Sequence, residues 1–202
     1  MKYVLVAYNN DLEWVKEYTD DWLMFDRSDN PADFPNTTRT KNTGQVDYDK
    51  LGYLIDNYDN LPDVFLWGKA NLFKSITKEE FDLVKDNKVF TPLLTKNHRT
   101  YGDNWGAVNF YTEDGLYNER NDSWYFNVLD HKIGNYTEFA EMFKLPNPPY
   151  LKFAPGGNYI LTREVVHKYP KSLYKKMKDL LPYSTNPAEA HCLERSYYTL
   201  WK

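Results

Sequence analysis

The sequence predicts an α/β fold: a Rossmann-like single domain whose mostly parallel central sheet is flanked by helices. Three observations predict it. A short, β-branched strand of fully buried type opens the chain at 3–8 (YVLVAY) and stops at the turn pair Asn9-Asn10. Strand-like and helix-like segments then follow in the order β-α-β-α-β up to Gly68, and such alternation argues for parallel strands joined by crossover helices. Each of these strands runs out into polar or small residues, and in parallel sheets the ligand sits at the carboxyl ends of the strands.

After the first strand, residues 11–19 read as a helix with Leu12, Trp14 and Val15 on its apolar side. A second strand is expected at 21–26 (DWLMFD), followed by a Pro-, Asn-, Asp- and Thr-rich loop over 28–41. Val46, Leu51, Leu54, Ile55 and Tyr58 have the spacing of an amphipathic helix, which Asn60 and Pro62 end. A third strand follows at 63–67 (DVFLW). Thr77 to Glu80 is a T-x-x-E capping box that opens a short helix, and Asn135 to Glu138 caps another that Pro146 ends. Residues 88–126 read as loops with short strands. A strand pair is expected over 150–161 around the turn Pro155–Gly157, then helices at 162–180 and 187–201. No repeat or linker interrupts the chain, so 1–202 reads as one domain, with a nucleotide-binding half at 1–70 and an acceptor-side half at 71–202.

Composition excludes several classes. A hydrophobic share of 42% over 202 residues can build a sizeable core, which a disordered chain cannot. Aromatics make up 17%, with 18 Tyr and 6 Trp; they either line a sugar or nucleobase site or fill a half-wet core. The net charge of −4 and the lack of a basic stripe exclude a nucleic-acid partner, and the one basic run, 168–178, reads as a solvated helix face. A single cysteine, Cys192, leaves no intramolecular disulfide and suits a reducing compartment. No stretch is long and apolar enough for a membrane span, and the opening residues do not read as a signal peptide, so a cytoplasmic location is expected. The end at Trp201-Lys202, inside a helical pattern, fits a piece cut from a longer polypeptide.

Five groups of residues could carry chemistry. Ala7, Tyr8 and Asn9 end the first strand, either as a nucleotide contact or as an ordinary turn. Asp26 and Arg27 end the second: the carboxylate could hold a ribose and the guanidinium a phosphate, or the two form a surface pair. Asn42 and Gly44 lead into a helix, whose free N–H groups make an anion site unless the start is a plain one. Trp67, Gly68 and Lys69 end the third strand, with Lys69 either facing a diphosphate or facing solvent. His191 and Glu194 share a helix face; Glu194 could serve as general base and His191 could support a metal or phosphate. Alternatively, Glu194 and Arg195 form a surface charge pattern with His191 packed on Tyr198. His98, His131, His167 and His191 lack zinc spacing, and no P-loop, G-x-G-x-x-G or G-x-S-x-G occurs.

Five segments in order resemble the GT-A-like glycosyltransferases: VLVAYNNDLEWV (4–15), NTG (42–44), YLIDNYDNLPDVFLWG (53–68), FAPGGNYILTREVV (153–166) and HCLERSYYTLW (191–201). More narrowly, the chain resembles the N-terminal glycosyltransferase domain of a chlorella-virus protein that builds capsid glycans, which would place it in the host cytoplasm. The resemblance implies a GT-A-like fold, a UDP-sugar donor and a glycan or glycoprotein acceptor. It also implies that Ala7, Tyr8, Asn9, Asp26, Arg27, Asn42, Gly44 and Trp67 to Lys69 form the donor side. Glu194 is the first choice of catalytic base and Asp130 the second. GT-A enzymes usually hold Mn2+ or Mg2+ on an Asp-x-Asp motif at the third strand end. Here Trp67-Gly68-Lys69 replaces it, and the one D-x-D, Asp47-Tyr48-Asp49, falls at a helix start, so Lys69 would substitute for part of the metal's charge. Two other classes compete. A non-catalytic carbohydrate- or protein-binding module would suit the aromatics and the missing motif; a nucleotidyltransferase would need a Gly-rich basic loop after strand one, which is not present.

Overall fold

The computed structural model describes residues 1–30, 33–95, 109–111, 116–120 and 124–202. Its first half follows the expected alternation: β1 (Lys2–Ala7), α1 (Trp14–Tyr18), β2 (Trp22–Asp26), β3 (Thr37–Arg39), α2 (Gln45–Asp56) and β4 (Val64–Lys69). Then come α3 (Lys78–Val84), β5 (Thr91–Pro92), β6 (Asn109–Tyr111), β7 (Tyr117–Arg120), α4 (Tyr136–Phe143), β8 (Tyr150–Phe153) and β9 (Tyr159–Thr162). Three helices close the chain: α5 (Arg163–His167), α6 (Lys171–Asp179) and α7 (Ala188–Trp201).

Six strands form one sheet in the order β3-β2-β1-β4-β9-β5, in which β3, β2, β1 and β4 run parallel and β9 runs antiparallel to β4 and β5. Strand alternation sends successive side chains to opposite faces. Val4, Phe65, Trp67, Tyr159 and Leu161 enter the core under α2 and α4 to α7, while Tyr3, Leu5, Leu66 and Ile160 enter the one that α1 and α3 cover. Both faces of β1 are covered, and so it reads as an unbroken apolar run rather than an alternating one.

Three local expectations are revised. The loop 28–41 contains β3, a polar edge strand whose Thr-Thr-Arg lacks the apolar signal of a buried one. The strands at 150–161 do not pair with each other: β8 joins the small antiparallel sheet β6-β7-β8, and β9 joins the main sheet. The helix expected over 162–180 is two, because Pro170 has no N–H to continue α5 and becomes the N-cap of α6. The two predicted side-chain caps are present. Thr77 Oγ1 accepts from the Glu80 amide, and Asn135 Oδ1 accepts from the Glu138 amide. No helix among the described residues is long and apolar enough to cross a membrane.

Candidate functional site

Parallel pairing brings the ends of β2, β1 and β4 to one edge. Ala7 stands opposite Asp26, and Val6 opposite Lys69. Asn9, Arg27 and Lys69 therefore lie along the carboxyl edge of three adjacent strands, though they are not equivalent. Tyr8 and Asn9 are exposed at its centre, where the Tyr8 hydroxyl reaches Asp29 at 3.3 Å and the Asn9 amide donates to Ser28 Oγ at 2.7 Å. Ala7 is buried, and its carbonyl accepts from the Arg27 amide. Its contribution is to bind β1 to the turn after β2.

On the β2 side the polar groups are used within the protein. Arg27 is buried, 3.2 Å from Asp49 Oδ2, and its guanidinium also donates to the carbonyls of Lys41 and Thr43. Burial pushes the Asp49 carboxyl up to about 6 even though Arg27 and Thr40 oppose it. Burial likewise lowers Arg27. Asp26 is buried and accepts from the Ser28 amide at 2.8 Å. Two amides at the start of α2 are used as well: those of Gly44 and Gln45 donate to the carbonyls of Ser184 and Thr185 at 2.7 and 3.1 Å. Gly44 has φ +66, and a Cβ there would stand 2.8 Å from Leu181 Cβ, so its glycine serves packing. The Gly44 amide and the Arg27 guanidinium are thus already bonded within the protein, while Gln45, Val46 and Asp47 at the start of α2 line a pocket shared with Lys69. Asn42 itself is exposed.

The β4 side differs residue by residue. Trp67 is fully buried, its ring edge-on to Tyr197 and Trp201 at 5.0 and 5.1 Å, and it belongs to the core rather than to a donor contact. Gly68 is buried, and a Cβ there would meet Asn158 Oδ1 at 2.7 Å; that oxygen accepts the Lys69 amide at 2.8 Å. Lys69 is half-buried and lines a pocket of about 140 Å³ with Asp47, His191 and Glu194. The first-choice base and the β4 cation are therefore brought together. Asp130 is not: its carbonyl accepts the Ala188 amide at the start of α7, and its carboxylate accepts the Ser184 hydroxyl at 2.8 Å. It shapes the loop leading into α7 and does not line this pocket.

Glu194 is held on three sides. Its Oε1 accepts the Gly156 amide at 2.8 Å, its Oε2 lies 3.4 Å from the Arg195 guanidinium, and Lys69 faces it across the pocket. Burial pushes this carboxyl up, but Lys69, Arg195, His191 and the Gly156 amide together outweigh it and hold it below its ordinary value. Arg195 is fixed in turn by a buried bidentate pair with Glu119 at 2.6 and 2.8 Å. Burial lowers His191 to about 4, so it is neutral near pH 7; its ring stacks on Tyr125 at 5.4 Å.

Beneath the pocket lies a residue that the sequence reading passed over. Lys50 is fully buried, with its ammonium 2.7 Å from the Gly157 carbonyl, 3.7 Å from Asp47 and 3.7 Å from the Trp67 ring centroid. Its signal was present: Lys50 stands four residues after Val46 and four before Leu54, in the middle of an apolar stripe. The glycines of the Pro155–Gly157 turn were legible, but not that the Gly156 amide faces Glu194.

The donor set does not suit a divalent metal. Asp47 accepts the Tyr197 hydroxyl at 2.8 Å and neighbours Lys50, Asp49 is paired with Arg27, and Glu194 accepts an amide and is paired with Arg195. A dication would have to displace these partners and then sit beside the Lys69 ammonium. Among the described residues, no three His, Cys, Asp or Glu side chains gather to hold an ion; His98 lies outside those residues.

No curated protein and no solved structure matches the chain. The chain belongs to the family described as Protein of unknown function (DUF3431), which matches residues 4–202.

Proposed function

We propose that the pocket between β4 and α7 is the catalytic centre of a glycosyltransferase that takes sugar from a UDP-sugar donor and passes it to a hydroxyl of a glycan or glycoprotein. One observation carries the reading. Lys69 and Glu194, the cation and the carboxylate that such a transfer demands, line one pocket at the carboxyl edge of parallel strands. The donor would lie along that edge past Tyr8 and Asn9, with its diphosphate toward Lys69.

In an inverting transfer, the acceptor oxygen attacks the anomeric carbon while the bond from that carbon to the diphosphate oxygen breaks. The electron pair leaves with UDP, and Lys69 stabilises the charge that develops there. The acceptor proton passes to Glu194, whose neighbours keep it ionised and ready, at some cost in basicity. Neutral His191, beside both, can donate a hydrogen bond without adding charge. No step needs a metal.

A second reading, a non-catalytic carbohydrate- or protein-binding module, is favoured by the internal bonds of Arg27 and of the Gly44 and Gln45 amides. Thermal-shift titration with UDP and UDP-sugars, with and without manganese, separates the two. A UDP-dependent rise supports the transferase, of about 2.7 kcal/mol at a hundredfold excess over Kd. No shift with any nucleotide supports the module. Glu194→Gln should then keep UDP affinity while transfer falls about 100-fold or more; unaltered turnover removes Glu194 from the mechanism.

A further inference from the structure

We propose that Lys50 is the positioning residue of this site, holding the Pro155–Gly157 turn against Glu194 so that the carboxylate stays at the pocket. The assignment deepens the transferase reading and rests on it for the role of Glu194, but its test needs no substrate. The turn is held at two successive residues: the Gly156 amide donates to Glu194 Oε1 at 2.8 Å, and the Gly157 carbonyl accepts from Lys50 at 2.7 Å. A Cβ on Gly157 would lie 3.4 Å from the Lys50 ammonium and 3.7 Å from Glu194 Cγ, so both side chains flank this residue at ordinary contact distance. At Gly156, φ is +89 and a Cβ would stand 2.5 Å from Ser75 Oγ, leaving no space for a side chain to brace the turn from within.

A fully buried ammonium is an expensive brace, and an apolar side chain would pack beside Trp67 without that cost. What the charge supplies is a charge-assisted bond to one carbonyl and attraction toward two carboxylates, Asp47 on its own helix and Glu194 on α7. Lys69 from β4 opposes its charge, and the Tyr197 ring from α7 lies 5.4 Å away. Burial, with help from Lys69, lowers Lys50 to about 8 against the attraction of Asp47 and Glu194. The brace therefore weakens not far above neutrality, because a neutral amine makes the poorer hydrogen bond.

The test is amide hydrogen exchange by NMR on the full chain. Lys50→Met should speed exchange at Gly156 by about tenfold relative to the β1 amides, as expected for losing one bond to a charged group. Unchanged protection at Gly156 overturns the assignment. Should the variant not fold, the wild-type protein decides. From about pH 7 to about pH 9, corrected for intrinsic exchange, protection at Gly156 should fall with the midpoint of the Lys50 13Cε resonance. A flat profile overturns the assignment. UDP affinity, read by calorimetry on the same samples, separates the two ideas: absence of UDP binding in the wild-type protein sinks the donor reading, while Gly156 still decides Lys50.

Discussion

Two cations stand along one sheet edge and meet opposite fates. Arg27 follows β2 and Lys69 ends β4, and each has a carboxylate across from it: Asp49 from α2 in one case, Glu194 from α7 in the other. At Arg27 the loop 41–43 closes over the guanidinium and takes up its donors. At Lys69 the backbone amide is bound by Asn158, and the residue lines the pocket that it shares with Glu194. A place at the carboxyl edge is thus not enough to make a ligand group. What separates the two sides is whether the chain has already used the donors. By that criterion Arg27 is held by the protein itself, whereas Lys69 stands at a pocket and is the cation the proposed transfer uses.

The largest effect that would break this division is on the sealed side. Arg27→Ala leaves Asp49 buried without its partner, and we expect a loss of about 3–5 kcal/mol in folding stability by urea denaturation. Replacing both, as Arg27→Met with Asp49→Leu, should recover most of that loss, because burial disfavours charge on each partner. If Arg27→Ala instead folds with wild-type stability and loses UDP affinity, Arg27 is a ligand group and the division fails.

The same division marks what could be read from sequence. The strands and helices of the first half were legible because β1, β2 and β4 carry compact apolar runs separated by a helical stripe and by Asn and Pro. The partition of β8 and β9 between two sheets was not. Each is four residues long, and nothing local to the Pro155–Gly157 turn says whether its flanking strands pair with each other. Site positions at strand ends followed from topology, and that placed Asn9, Arg27 and Lys69 on one edge. Their availability did not follow, because the partners are remote in sequence: residues 184 and 185 close Gly44 and Gln45, and Asn158 orders Lys69. Lys50 was overlooked for a different reason. A lysine in a helix is normally solvent-facing, and only its place in the apolar stripe marks it as buried.

A middle-sized effect sharpens the boundary on α7. His191 is pushed down to about 4 by burial, with Arg195 and Lys69 adding to the shift and Glu194 and Asp47 opposing it. In the unfolded chain the imidazole titrates near pH 6.5, so between the two values the unfolded state binds more protons. The stability contributed by neutral His191 is therefore full above about pH 6.5 and is lost as pH falls toward 4. At pH 5 the loss amounts to about 2 kcal/mol. His191→Gln should remove that part of the difference between urea midpoints at pH 7 and pH 5. If the variant keeps the full acid sensitivity, the imidazole is as wet as an ordinary surface histidine and the pocket is more open than its lining implies.

The smallest effect is the most direct test of the open side. Lys69→Ala removes a partly exposed ammonium but keeps the backbone amide bound to Asn158, so β4 and β9 should stay in register. Stability should change by no more than about 0.5 kcal/mol, as for a surface substitution. UDP affinity by calorimetry should fall about tenfold, the equivalent of one hydrogen bond to a charged group. Removing this cation also takes away the largest single influence holding the Glu194 carboxyl low, so that carboxyl should titrate at higher pH in the variant, a shift readable by 13C NMR. The two readouts respond to different failures. A raised Glu194 with undiminished UDP affinity keeps the cation–carboxylate pair but moves the diphosphate elsewhere, whereas a fall in affinity with Glu194 unmoved means that Lys69 faces the ligand and not the base.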